Sequence, residues 1–331
     1  MSNARLVTYA ALAFVLILGA GPAWAQGKTK VVVTTDFVPH GMHAGLHLAK
    51  HNGWFDQAGL DVTVEDGKGS ATTIQQLAAN QIDIGFAQLS AMAAAVSNGL
   101  PVTSVMGFVR GGDNGLMVPV ESGWKTLKDI KGKRVAVPSG SATAALFDAF
   151  LKAGGMSRDD ITVVNLDSAA LASVYVSGGA DAALTTVAYL APIVADRRPS
   201  SAILFSSYGL NVPGYGLVVR AADLDSRAAV FKAFVGAQQK TWDYIFAGHE
   251  DEAIDAMLAE RAGNRLDRTV VLGQLKMYMP LFMTEATKGK PLGWQAEADW
   301  ESALSAMKSV GLVKPELKPA DFYTNRFIAT N

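Results

Sequence analysis

Short runs of β-branched and apolar residues alternate along this chain with segments whose apolar positions recur at helical spacing. The sequence KVVVTT at 30–35 predicts a buried strand, residues 43–52 predict a helix, and LDVTVE at 60–65 alternates as a half-buried strand does. Further strands are predicted at 82–86, 102–109, 134–137, 161–165, 182–185, 202–205 and 217–220. This alternation is typical of α/β proteins with largely parallel sheets.

The strand–helix order restarts near residue 126, which predicts two lobes. After residue 225 the pattern is helical throughout, at 227–247, 250–259, 267–279 and 296–310. We expect lobe 1 to comprise residues 30–116 and 217–331, and lobe 2 to comprise 121–212, with crossings between them near 116–120 and 213–217. The predicted fold class is α/β, with each lobe a mixed, mostly parallel sheet flanked by helices.

Residues 1–25 have the pattern of an export signal. Arg5 precedes an apolar stretch at 6–20, and Ala23 and Ala25 place small residues three and one before an expected cut at Gln26. A retained membrane anchor is the alternative, but the apolar stretch is shorter than the roughly 20 residues of a membrane-spanning helix. The chain has no cysteine, which excludes a lipoprotein anchor and disulfides. We therefore expect a periplasmic protein.

The composition of the chain limits the kinds of molecule that it can bind. The 331 residues carry 29 basic and 30 acidic side chains, with no basic cluster along a predicted helix, which argues against nucleic acid binding. Half of the residues are hydrophobic, as expected of a packed globular protein.

Ligands of open α/β sheets bind beyond the carboxyl ends of the strands. That rule selects polar and aromatic side chains at predicted strand ends and helix starts in both lobes. The candidate ligand-binding residues are Asp36, Phe37, Pro39, His43, Ser70, Thr72, Gln88, Ser90, Ser139, Ser141, Thr143, Thr186 and Tyr189.

Two of these segments are near-copies, KGSAT at 68–72 and PSGSAT at 138–143, and each opens a predicted helix. Hydroxyls and free backbone N–H groups at a helix start favour a polar or anionic ligand group. Either segment could instead be an ordinary helix cap. Neither has the spacing of a nucleotide-binding loop.

Histidines and one aromatic residue leave alternatives open. His43 and His47 are four apart, as a metal site on a helix requires, but no carboxylate stands at a matching spacing. We expect no metal and no cofactor. Phe37 could stack on a planar ligand or belong to the core.

The run DFVPHGMHAGL at 36–46, with GWF at 53–55, GLDV at 59–62, LKDIKGKRVAVP at 127–138 and VPGYG at 212–216, resembles the solute-binding proteins of ATP-driven importers. The resemblance is greatest to the branch that binds thiamine pyrimidine precursors, with nitrate, sulfonate and taurine binders as relatives. It implies a type II periplasmic-binding fold, a ligand held in a cleft that closes on binding, and a binding role for His43. Its partners would be a small planar solute, such as a pyrimidine or an aromatic acid, and a membrane permease with ATPase subunits. We expect a monomer.

Three alternatives stand beside this interpretation. The solute could be an alkyl sulfonate, taurine or nitrate. An enzyme is a second possibility, because a pyrimidine-synthase relative with this fold uses a lysine-bound pyridoxal phosphate and a histidine, and Lys50 follows His43 closely. A sensory role is the third. The sequence shows no nucleophile–base pair, so we expect a binding protein rather than an enzyme.

Overall fold

The computed structural model describes residues 27–330, which form ten strands and twelve α-helices. The strands are β1 (Thr29–Thr34), β2 (Leu60–Glu65), β3 (Ile84–Gln88), β4 (Val102–Gly107), β5 (Asn114–Pro119), β6 (Arg134–Pro138), β7 (Thr162–Leu166), β8 (Ala182–Thr186), β9 (Ser200–Leu204) and β10 (Tyr215–Arg220). The helices are α1 (Ala44–His51), α2 (Trp54–Gln57), α3 (Ser70–Ala78), α4 (Leu89–Ser97), α5 (Ala142–Ala153), α6 (Leu171–Val176), α7 (Val187–Val194), α8 (Asp223–Ser226), α9 (Ala228–Phe246), α10 (Glu250–Glu260), α11 (Arg268–Tyr278) and α12 (Glu297–Ser309).

These elements confirm the α/β fold class. The predicted export segment lies outside the described residues. Within residues 27–330, no helix combines the length and the apolar character needed to span a membrane.

The strands form two five-stranded sheets. The first sheet has the order β2-β1-β3-β10-β4, and the second has the order β7-β6-β8-β5-β9. In each sheet the strand that follows a crossing, β5 or β10, runs antiparallel to both of its neighbours, whereas β1–β3 and β6–β8 pair in parallel. The parallel strands therefore direct their carboxyl ends, where α/β proteins bind ligands, to one edge of each sheet.

The hydrophobic pattern accounts for the position of the core. In β2, Leu60, Val62 and Val64 are buried and the residues between them are exposed, while β4 and β5 are buried on both faces. Helices α1 and α9 approach closely, because Gly45 has no side chain where a Cβ would lie 2.7 Å from the indole of Trp242. One cluster of buried hydrophobic side chains joins the two sheets, because it contains Val102 and Val218 of the first sheet and Val135 and Leu184 of the second sheet.

The crossings lie earlier along the chain than the sequence predicted. Strand β5 belongs wholly to the second sheet, so the outgoing connection runs through residues 108–113 rather than 116–120. The return connection follows β9 and ends before Tyr215, where β10 begins. The apolar run at 114–119 is a strand buried on both faces, and the crossing predicted at 116–120 overlaps its second half.

Candidate functional site

A cleft of about 270 Å³ lies between the carboxyl ends of the two sets of parallel strands. Its walls come from the segments after β1 and β2, the end of β3, the turn after β6 and the end of β8. Its lining includes Asp36, Phe37, His40, Lys68, Gly69, Ser70, Thr72, Gln88, Ser139, Gly140, Ser141, Thr143, Thr185, Thr186, Tyr189 and Tyr215.

The two serine-rich turns meet across this cleft. A Cβ placed on Gly69 would lie 3.9 Å from the carbonyl oxygen of Gly140. The turns are not equivalent, however. Ser141 caps α5 by accepting a hydrogen bond from the N–H of Ala144, whereas α3 is preceded by Gly69 with a φ of 126° and has no side-chain cap. The Ser70 hydroxyl instead accepts the backbone N–H of Gln88 at 3.1 Å, which ties the start of α3 to the end of β3.

Asp36 is the most unusual group in the cleft, because it is a carboxylate with only 6% of its surface exposed. The Nε2 of His43 lies 2.8 Å from its Oδ1, and the Nε2 of His40 lies 3.5 Å from the same atom. His43 is fully buried in the first sheet's core, and its ring meets that of Phe86 edge-on. The fold thus holds a negative charge at the cleft surface by hydrogen bonds from beneath it.

The charge states follow from these contacts. Burial would raise the pKa of Asp36, but hydrogen bonds from His40 and His43 outweigh it and hold the pKa of the carboxyl well below its usual range. Burial lowers the pKa of His43 to about 4, with the proximity of His40 acting in the same direction. At neutral pH Asp36 is therefore ionised and His43 is neutral.

The same network bears on metal binding. Asp36, His40 and His43 bring three potential ligand atoms within 4.8 Å of one another. The backbone N–H groups of His40 and Met42 point to the Nδ1 atoms of His43 and His40, at 3.4 and 3.3 Å. An acceptor at Nδ1 places the proton of a neutral imidazole on Nε2, whereas a histidine that binds metal through Nε2 donates from Nδ1. The arrangement therefore suits two N–H donors to Asp36 better than it suits a metal ion.

Two further features of the cleft are available to contact a ligand. The buried side-chain oxygen Oε1 of Gln88 has no hydrogen-bond partner within the described chain, so the Gln88 amide is available to a bound molecule. The rings of Phe37 and Tyr189 lie 6.1 Å apart, nearly perpendicular, and both are partly exposed in the cleft. Rings placed in this way can stack on a planar solute.

Ten of the thirteen predicted residues line the cleft, and Pro39, His43 and Ser90 do not. His43 contacts Asp36 from the core side instead. His40 and Tyr215 also line the cleft but were not among the predicted residues. His40 stands four residues after Asp36, but no regular period joins the two across the irregular segment at 35–40. Tyr215 fell within the crossing predicted at 213–217, whereas it is the first residue of β10.

Lys50 does not fit the cofactor-binding alternative. Its Nζ pairs with Glu260 Oε2 at 3.2 Å on the outer side of α1, and it does not line the cleft. Lys68 does line the cleft but is exposed. Neither residue offers the desolvated amine that a Schiff base with pyridoxal phosphate would use.

Two five-stranded sheets with a polar cleft between their strand ends are the architecture of the periplasmic-binding fold. Residues 40–253 match the NMT1/THI5-like family, and the chain belongs to that family, which includes periplasmic binding proteins that serve ABC transporters.

Individual relatives agree with this class. The chain is 25% identical, over 83% of both chains, to the formylaminopyrimidine-binding protein of Halalkalibacterium halodurans. Its fold is similar to that of the alkanesulfonate-binding protein of Xanthomonas axonopodis pv. citri, with a TM-score of 0.68 and 19% identity over 91% of this chain and 99% of the other. It is also similar to the nitrate-binding protein of Synechocystis, with a TM-score of 0.66 and 16% identity over 91% and 87% of the two chains.

Proposed function

We propose that this protein is the extracytoplasmic solute-binding component of an ABC importer and that its solute is a small planar molecule bearing N–H donors, of the aminopyrimidine class. The observation that carries the proposal is the ionised, nearly buried carboxylate of Asp36 at the cleft surface. A buried charge is retained only where it is paired or hydrogen-bonded, and a ligand that donates to it gains a charge-assisted bond.

The charges of the cleft wall near Asp36 indicate which kind of ligand it can bind. Gln88 adds a second polar group from the end of β3, a buried side-chain amide whose oxygen has no partner among the described residues. Among the described cleft-lining residues Lys68 is the only lysine or arginine, and it is exposed. This wall of the cleft therefore favours a neutral or cationic ligand that donates hydrogen bonds, and it disfavours an anion.

The opposite wall supplies complementary groups. Ser139, Ser141 and Thr143 bring hydroxyls to the start of α5, where the helix dipole and free N–H groups favour an acceptor atom. A ring with amino groups on one edge and a formyl or hydroxymethyl oxygen on the other matches both walls. The similarity to a formylaminopyrimidine-binding protein supports the same solute class.

An alkyl sulfonate, taurine or nitrate is the second candidate, because the starts of α3 and α5 both face the cleft and anions bind at helix starts. The charge of Asp36 opposes such a ligand. A sulfonate would have to lie against the helix starts with its charge kept away from the carboxylate.

The remaining parts of the proposal concern transport. We also propose that residues 1–25 are an export signal cut before Gln26 and that the mature protein is a periplasmic monomer. It would deliver its solute to a permease with ATPase subunits, a role that the family to which the chain belongs supports. The two sheets would act as lobes that close over the solute by movement at residues 108–113 and 205–214.

The test is a binding panel on the purified mature protein. Formylaminopyrimidine and aminomethylpyrimidine should raise the unfolding temperature and give saturable heats in calorimetry, since a ligand that binds only the native state stabilises it. Nitrate, taurine and alkyl sulfonates should not. Saturable binding of a sulfonate without any response to pyrimidines would favour the second candidate. No response to either group would refute the proposed solute classes.

A further inference from the structure

A second, smaller cavity lies beside both crossing segments and shares no lining residue with the cleft. Its wall includes Gly107 and Arg110 from the outgoing chain and Asn211 and Pro213 from the returning chain. The C-terminal part of the chain closes it with Gln295, Asp299 and Trp300.

Arg110 is a buried charge without an ionic partner. Its side chain is 8% exposed, and no carboxylate within residues 27–330 lies within 4.0 Å of its guanidinium. One terminal nitrogen donates to the carbonyl of Gly107 at 2.7 Å, while the buried Nε has no acceptor in the described chain. Burial lowers the pKa of Arg110 to about 10, so the group is still cationic at neutral pH. A buried charge of this kind is costly unless a counter-charge accompanies it.

Gln295 presents a second free donor to the same cavity. It is 3% exposed, and its Oε1 accepts the indole N–H of Trp300 at 3.3 Å. That contact fixes the orientation of the amide and leaves Nε2, which has no partner among the described residues, as a donor.

The space between these donors is small. The cavity has a volume of about 20 Å³, which is room for one or two particles of the size of water. A Cβ on Gly107 would lie 3.5 Å from Arg110 Nε and 3.0 Å from Gln295 Cγ, so the absence of a side chain at Gly107 keeps the space open. The space between the donors suits an occupant close to monatomic in size.

Asp299 also lines the cavity and attracts Arg110 electrostatically without contacting it. Its Oδ2 accepts the hydroxyl of Thr284 at 2.7 Å, and the residue is partly exposed. Solvent therefore screens part of its charge.

We propose that Arg110 and Gln295 form a binding site for a small monovalent anion of the size of chloride, built into the junction of the two crossing segments. The anion accepts the Nε–H of Arg110 and the Nε2–H of Gln295 and neutralises the guanidinium. This site is independent of the solute cleft and of the solute's identity.

Crystals of the mature protein grown in sodium bromide, measured at the bromine absorption edge, test the site directly. We expect an anomalous peak in contact with Arg110 Nε and Gln295 Nε2. A water molecule without anomalous signal at that position would overturn the proposal, as would a side-chain shift that pairs Arg110 with Asp299.

Thermal unfolding tests the site in solution. Between about 10 mM and 0.5 M salt, sodium chloride should raise the Tm by about 2–3 °C more than sodium gluconate does, because gluconate is too large to enter. Arg110→Met should abolish this difference, whereas Arg197→Met, at an exposed arginine, should keep it.

Gln295→Glu is a second variant that tests the site even if Arg110→Met does not fold. A carboxylate at this position would keep the contact with Trp300 and supply the negative charge from the chain itself. We expect this variant to lose both the bromide peak and the chloride-specific rise in Tm, with an unchanged or higher Tm in gluconate. A chloride-specific rise that persists in Gln295→Glu would place the effect elsewhere and overturn the proposal.

Discussion

Replacing Asp36 by asparagine changes one charge in the cleft and very little else. The two side chains have nearly the same size, and the amide oxygen can still accept the Nε2–H of His43, which lies 2.8 Å from Asp36 Oδ1. The substitution therefore removes the negative charge that the cleft offers to a ligand without opening a cavity.

The size of the effect follows from the kind of hydrogen bond lost. A bond to a charged acceptor contributes about 1.5–3 kcal/mol and a neutral one about 0.5–1.5 kcal/mol. The difference of about 1–1.5 kcal/mol corresponds to roughly 5- to 15-fold weaker binding of a solute that donates to Asp36. The sign is more informative than the size. An anionic solute is repelled by Asp36, so for nitrate or a sulfonate the same substitution should tighten binding.

Isothermal titration calorimetry of the wild type and of Asp36→Asn measures this change. Asp56→Asn is the matched control, since Asp56 is an exposed carboxylate that pairs with Lys28 outside the cleft. We expect weaker binding of the pyrimidine in Asp36→Asn and unchanged binding in the control. Equal affinities in all three proteins would refute the assignment of Asp36 as a ligand contact, and tighter binding would refute the donor-bearing solute.

Three predictions concern stability and are measured by urea or thermal unfolding. Gly69→Ala should lower the free energy of unfolding by about 1–3 kcal/mol, because the φ of 126° at this position strains any L side chain. Gly236→Ala, where α9 has open space for a Cβ, should raise it by about 0.5–1 kcal/mol. Equal effects of the two substitutions would contradict the argument from backbone conformation. Gly45→Ala should lower the free energy of unfolding by about 1–3 kcal/mol, because the added Cβ would overlap the indole of Trp242. An unchanged Tm would show that α1 and α9 can separate freely. Burial lowers the pKa of His47 from its ordinary 6.5 to about 3, so the unfolded chain takes up a proton first and the free energy of unfolding falls as the pH drops below 6.5. His47→Leu should remove roughly 2–3 kcal/mol of that fall between pH 6.5 and 4.5, and an identical pH profile would exclude His47 as its cause.

Most of the fold follows from local pattern. Strand β2 alternates strictly and is observed at the predicted bounds, and α1 ends at His51, one residue before the predicted end. The main error, the assignment of 116–120 to a crossing, arose because β5 is buried on both faces. A fully apolar run between turn residues carries no period that separates a strand from a buried linker.

The part of the site that lies at strand ends was predictable from the rule that ligands of α/β proteins bind beyond the carboxyl ends of the strands. That rule found Asp36, Gln88 and Thr186, because each stands at or just after the carboxyl end of a strand. It placed His43 in the cleft, whereas the structure places it in the core beneath Asp36, and it omitted His40. The segment at 35–40 is irregular, so its side-chain directions depend on tertiary contacts such as those to Asp36 and not on any period in the sequence.

The central position of β10 has a consequence for biosynthesis. The strands of the second sheet are contiguous in the chain, from Asn114 to Leu204, whereas the first sheet receives β10 between β3 and β4 only after the second sheet's last residue has been made. A nascent or truncated chain that stops before Tyr215 leaves β3 and β4 as two unpaired edges, which are sites of aggregation. The half that begins at the amino end should therefore be the last to complete its folding, and it should depend on chaperone protection until then.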